Sequence, residues 1–146
     1  MYSDDRAVSV TVGYVLNFAI ASILVSGLLI AGGGLIERQT EQVTEDELSV
    51  IGHQLADDIS SADRLVRAGD VSTLSIRSDL PERTAAGGYT VNITVDGNDG
   101  EIVLRTNAPE VVVTVPFRVQ SSLSGGTLEG GPVRIEYDGG LEVVSA

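Results

Sequence analysis

The chain has 146 residues, a formal net charge of −12 and 42% hydrophobic residues, with a mean hydropathy of +0.19. Its nine basic residues are all Arg, set against 11 Asp and 10 Glu, and it has one His and no Lys, Cys or Trp. That composition excludes disulfides and thiolate metal sites, lysine-dependent phosphate loops and Schiff bases, and a basic surface for nucleic acid.

An acidic chain that is apolar on average must keep the two properties apart. The first seven residues form a short charged leader with Asp4, Asp5 and Arg6. From 7 to 36 there follow thirty residues without a charge, AVSVTVGYVLNFAIASILVSGLLIAGGGLI. About 20 apolar residues cross a bilayer as a helix, and thirty would reach roughly 45 Å, so residues 8–36 are expected to form a transmembrane helix. Two readings compete with this. A cleaved secretory signal would use Ala19-Ile20-Ala21 as its small-residue site, but its apolar core should be only about 7–15 residues long. A buried core helix would need an apolar partner, and no other segment is this apolar. Flanking charge does not set orientation, with one Arg on each side, Arg6 and Arg38.

Small and polar residues interrupt the apolar run. Ser22/Ser26 and Gly27/Ala31 have small-xxx-small spacing, which lets helix backbones approach in lipid. With Gly13 and Asn17, whose amide would seek a partner helix, these six are the candidate helix–helix packing residues. Gly32-Gly33-Gly34 is expected to be a soft point or hinge, because each Gly costs a helix about 1 kcal/mol relative to Ala.

Arg6-Ala7-Val8-Ser9 directly before the apolar stretch resembles the class III signal sequence of archaeal type IV pilin-like proteins. The resemblance implies that a prepilin peptidase cuts between Ala7 and Val8, with Arg6, Ala7 and Val8 as the processing site. The apolar stretch then stays as a pilin helix that packs with others. Family members often carry Gly where Ala7 stands. Val12 stands where bacterial-type pilins carry a Glu, so that assembly contact is not implied. The absence of Lys and a pI near 4.2 resemble proteins of haloarchaea, and the chain as a whole resembles a small haloarchaeal family of pilin-like membrane proteins. The partners implied are the membrane, the prepilin peptidase, and other copies or pilin-like subunits. The localisation implied is a single-pass membrane protein with its C-terminal domain outside, in the cell membrane or within a surface filament.

Residues 37–69 read as an amphipathic stalk helix. Leu48, Ile51, Leu55, Ile59, Ala62 and Val66 repeat at steps of three and four, and Glu45, Glu47, Asp57, Asp58, Asp63, Arg64 and Arg67 fall on the other face. Ala68-Gly69 supplies a stop. Thr44-Glu45-Asp46-Glu47 fits a capping box, so a separate helix could begin at Thr44. With no Pro or Gly between Glu37 and Thr44, a near-continuous helix from Val8 to Ala68, about 90 Å long, is the other expectation. The stripe suits packing on the chain's own sheet or on a neighbour's stalk.

From Val71 onward the period becomes two, and residues 70–146 are expected to form an extracytoplasmic β domain. Residues 90–95 and 101–105 flank Asp96-Gly97-Asn98-Asp99-Gly100, a hairpin signal. Residues 110–119 form a β-branched run, VVVTV followed by Pro116 and Phe117, with Pro116 marking an edge or a bulge. Residues 133–137 and 141–144 flank Asp138-Gly139-Gly140 as a second hairpin. Residues 122–131 read as a Gly/Ser-rich loop. With residues 74–76 this gives five or six strands, a thin core that the stalk helix would complete. The expected fold is α+β: a long N-terminal helix followed by a small antiparallel β-sheet head, the pilin plan.

No catalytic, metal or cofactor constellation is legible. His53, the single His, sits on a predicted helix without a paired nucleophile. Asp96-x-Asn98-Asp99-Gly100-Glu101 has oxygen ligands but lacks the spacing of a calcium loop to its twelfth-position Glu, and a hairpin turn explains the same residues. Asn92-Ile93-Thr94 is an N-glycosylation sequon, although Asn92 falls within a predicted strand. The expected function is a non-enzymatic pilin-like or pseudopilin-like membrane-anchored subunit of an archaeal surface filament or secretion-type assembly. The alternative is a monomeric membrane-anchored binding module at the cell surface.

Overall fold

The computed structural model describes residues 2–69 and 71–146, with the backbone alone for residues 2–5 and Ala7. Asp70, the first residue of the expected β domain, and Met1 of the leader lie outside the described residues. The elements in chain order are helix α1 (Tyr2–Ala68) and strands β1 (Leu74–Ser78), β2 (Thr90–Asp96), β3 (Asp99–Asn107), β4 (Glu110–Arg118), β5 (Leu123–Ser124), β6 (Gly126–Glu129), β7 (Val133–Tyr137) and β8 (Leu141–Ser145). The architecture is α+β, a long N-terminal helix followed by a small β domain rich in antiparallel pairs. Two compact units divide the chain, Met1–Arg38 and Gln39–Ala146.

In the first unit the helix runs through Gly32-Gly33-Gly34, so the expected soft point is not a helix end. Propagation explains this. Once turns exist on both sides, each further residue adds one backbone hydrogen bond and no new nucleation cost.

In the second unit the stalk part of α1 buries Leu48, Ile51, Leu55, Ala56, Ile59 and Ala62, the face that the periodicity marks. Thr44 does not cap a new helix. It lies inside α1, fully buried, and its hydroxyl donates to the Thr40 carbonyl at 2.7 Å. A capping side chain needs orphan N–H groups ahead of it; here the previous turn is already helical, so the hydroxyl bonds back to the i−4 carbonyl instead. Gly52 faces β3 and β4 so closely that a Cβ there would stand 2.8 Å from Leu104 Cδ1 and 2.7 Å from Val115 Cγ2.

The strands form two four-stranded sheets, ordered β4-β3-β2-β6 and β1-β7-β8-β5. In the first, β2, β3 and β4 make a meander with strict in–out alternation: Val91 and Ile93, Ile102 and Leu104, and Val111, Val115 and Phe117 point inward. The β2–β3 turn is tighter than the five residues expected, since Asp96 pairs with Asp99. Gly97 supplies the positive φ of +65°, which fits the first central position of a type II′ turn. Pro116 lies on β4, an edge strand, where a missing N–H is tolerated.

Residues 122–131 are not a plain loop. Leu123–Ser124 pairs in parallel with β8, and Gly126–Glu129 pairs with β2. Gly125 permits this: a Cβ there would lie 2.5 Å from the Ile93 carbonyl oxygen. Among the described residues the head therefore has eight strands rather than five or six. One hydrophobic cluster joins the stalk stripe to both sheets, including Leu55, Ile59, Leu104, Ile135 and Leu141.

Candidate membrane-spanning segment

Residues 8–36 are helical and uncharged, and every side chain from Val8 to Arg38 is exposed. Leu28 is 73% exposed and Ile30 78%. α1 is long and apolar enough, by length and composition, to cross a membrane: its described stretch Val8–Ala68 includes an 18-residue window of mean hydropathy 2.2, none of it buried. A helix satisfies its backbone polar groups internally, which is the condition for crossing hydrocarbon.

The polar interruptions follow the same economy. Ser22 Oγ donates to the Phe18 carbonyl and Ser26 Oγ to the Ser22 carbonyl, each at 2.8 Å. Both hydroxyls are thus satisfied within the helix, and neither requires a neighbour. At about 100° per residue, Gly13, Asn17, Gly27 and Ala31 share one face, while Ser22 and Ser26 lie roughly opposite. The six candidate packing residues therefore form two stripes, not one. A Cβ at Gly13, Gly27 or any residue of the triple Gly would meet nothing within 4 Å. Of the candidate processing site, Arg6 is exposed and Val8 is 61% exposed, while the side chain of Ala7 lies outside the described residues.

The second unit carries the acidity: residues 39–146 hold 18 of the 21 carboxylates and seven of the nine Arg. Three stalk carboxylates that the periodicity leaves on the solvent side are instead clamps onto the head. Glu47 Oε2 accepts from the Ala85 N–H at 2.7 Å, and Asp58 Oδ2 from the Ser78 hydroxyl at 2.5 Å. Asp63 Oδ1 accepts from the N–H groups of Gln120 and Ser121 at 3.2 and 2.8 Å, with Arg67 at 3.5 Å from Oδ2. Asp63 is only 4% exposed. Burial alone would raise its pKa, but the Ser121, Gln120 and Arg67 donors together hold it below the usual carboxylate value. The signal that could have marked Asp58 and Asp63 is their place beside Ile59 and Ala62, at the margins of the apolar stripe.

His53 is exposed on the stalk, its Nδ1 2.7 Å from the Ser49 carbonyl oxygen. Asp96, Asn98 and Asp99 are exposed around the β2–β3 turn, where Asp99 pairs with Arg118 at 2.8 Å. Among the described residues, no group of three or more His, Asp or Glu is placed to hold a metal ion. At this end of the first sheet Asp96, Asp99, Glu101, Pro116, Phe117 and Arg118 line an open groove of about 850 Å³. Asn92 is exposed on the outer face of β2, and its Nδ2 donates to Thr127 Oγ1 at 3.2 Å.

No curated protein and no solved structure matches the chain. Residues 3–144 match DUF7266, a family of unknown function, and with nearly its whole length covered the chain belongs to that family.

Proposed function

We propose that this chain is a non-enzymatic, pilin-like or pseudopilin-like subunit of an archaeal surface filament or secretion-type assembly. Residues 8–36 lie in the membrane before assembly and pack with neighbouring helices after it, and the β head stands outside the cell. The observation that carries this reading is that every side chain of the apolar segment 8–36 is exposed. Apolar surface of that extent requires cover, which lipid supplies first and other copies or pilin-like subunits supply next. The two faces of small residues suit a helix with neighbours on both sides.

The proposal places a prepilin peptidase cut between Ala7 and Val8. Mass spectrometry of the protein from native membranes is expected to give a mature N-terminus at Val8. An intact leader there rejects the processing step and leaves the anchor standing. Crosslinking in the same membranes is expected to join segment 8–36 to itself or to similar helices.

A second reading is favoured by the groove beside Pro116 and Phe117: a monomeric anchored module whose head binds a surface partner. Anchorage with no helix-to-helix crosslinks would select it over the first.

A further inference from the structure

We infer that Asn92 is a glycan acceptor, modified on the outer face of the first sheet by a saccharide delivered on a polyisoprenyl phosphate carrier. The inference rests on the outward placement of the head proposed above. Asn92-Ile93-Thr94 is the one Asn-x-Ser/Thr sequence in the chain. A strand alternates its side chains, so residues two apart share a face. Asn92 and Thr94 both project to solvent, while Val91 and Ile93 beside them are 1% and 2% exposed. The sequon therefore presents its amide and its hydroxyl together, away from the core.

The surroundings are those of a sugar-bearing surface. A shallow groove of about 410 Å³ opens around Asn92, lined by Thr90, Glu101, Val103, Arg105 and Thr127 among others. It offers hydroxyl, carboxylate and guanidinium groups for sugar hydroxyls and one small apolar side chain for a ring face. β2 lies inside the order β4-β3-β2-β6, so the attachment point is central on that face and leaves the edge strand β4 uncovered.

In the transfer, Nδ2 of Asn92 forms a C–N bond to the anomeric carbon of the first sugar. The bond from that carbon to the carrier phosphate oxygen breaks, and the phosphate leaves with its electron pair. Nδ2 gives up one of its two protons to a base of the transferring enzyme. One N–H remains on Nδ2, which now donates to Thr127 Oγ1.

The test uses the full chain in native membranes. Trypsin releases residues 84–105, and this peptide is expected to be heavier than its sequence mass by at least one sugar residue. Asn92→Gln and Thr94→Val are expected to abolish the added mass, and Thr94→Ser to retain it. Ser124→Cys, at an exposed residue of this cysteine-free chain, reports sidedness through a membrane-impermeant maleimide on intact cells. A labelled cysteine with only the unmodified peptide overturns the glycan and leaves the outward head standing. An unlabelled cysteine with only the unmodified peptide overturns both. Added mass that persists in Thr94→Val overturns the assignment to the sequon.

Discussion

Leu28 and Leu55 are the same side chain in the same kind of secondary structure, yet one is 73% exposed and the other 0%. The first belongs to a segment whose apolar residues cover every side of the helix. The second belongs to a segment where most of them lie on one buried stripe and polar or charged residues cover most of the rest. An all-round apolar helix needs an apolar surrounding, and a striped one needs a single packed face. The lesson is that α1 is one element by hydrogen bonding and two by surroundings, and substitutions should separate them. Leu55→Ala should cost about 2–5 kcal/mol of head stability through lost transfer energy and an unfilled cavity. Leu28→Ala should leave denaturant unfolding of the head unchanged, because Leu28 touches nothing within its own chain's core. Equal losses in the two variants, followed by tyrosine fluorescence in detergent, would break the distinction.

Asp63 sharpens the stalk side of the contrast, because it is a charge on the buried face rather than opposite it. Asp63→Ala would strand the Gln120 and Ser121 N–H groups and should cost about 2–3 kcal/mol, the range for a buried charged hydrogen-bond partner. The pH dependence follows from a folded pKa below the ordinary value of 3.8. The unfolded chain binds the proton more readily, so the carboxylate's contribution is complete above the unfolded value and is lost as pH falls from there through the lower folded value. Acid unfolding of the wild type should therefore steepen below about pH 4, and Asp63→Asn should flatten that limb. An unchanged limb would assign the acid sensitivity to other carboxylates.

What was legible in the residues divides along the same line. The steps of three and four from Leu48 to Val66 located the stalk's buried face, and the alternation in residues 90–105 and 133–144 located both hairpins, because one side of each element faces a core and the other faces water. The helix end at Ala68 was readable from Gly69. The clamps of Glu47, Asp58 and Asp63 were not, since a carboxylate at the margin of a stripe looks the same in sequence whether it meets water or a hydroxyl or backbone N–H from a segment 20 to 58 residues away. β5 and β6 were hidden for a related reason. They are two and four residues long, set in a Gly- and Ser-rich stretch, and exist by pairing with β8 and β2, so their local composition carries no strand period. Thr44 shows the converse: a sequence that fits a local motif is overridden when the turn before it is already helical.

The glycines give a smaller and more selective probe. Gly52→Ala places a methyl group within 2.8 Å of Leu104 and Val115. Overpacking of that kind costs about 1–3 kcal/mol, against a helix-propensity gain of about 1 kcal/mol, so a net loss of roughly 1 kcal/mol is expected. Gly27→Ala meets nothing within 4 Å beyond its own helix backbone and should leave the head's unfolding midpoint untouched. If the Gly13–Ala31 face packs on a second helix, the same substitution should reduce crosslinked dimers in membranes. A dimer yield equal to wild type would remove that face from the assembly and leave the Ser22–Ser26 side as the remaining candidate.

The smallest effect per residue is the collective one. The head and stalk from Gln39 to Ala146 carry a formal charge of −11, and apart from Arg67–Asp63 their ion pairs, such as Arg77–Asp79 and Arg118–Asp99, have exposed side chains. Exposed pairs contribute about 0–1 kcal/mol, so removing one should be hard to measure, while the repulsion among the remaining carboxylates acts over the whole domain. Salt shortens that repulsion to a range of about 3 Å at 1 M, within which only the close pairs still interact. The melting temperature of residues 39–146 should therefore rise with KCl or NaCl, by a similar amount in wild type and in Arg118→Gln. A flat or falling curve would mean that close pairs, not long-range repulsion, dominate the electrostatics of the head. The apolar segment has no charge to screen between Ala7 and Ile36, so the salt response should be carried by the second unit alone and should persist when the first is deleted.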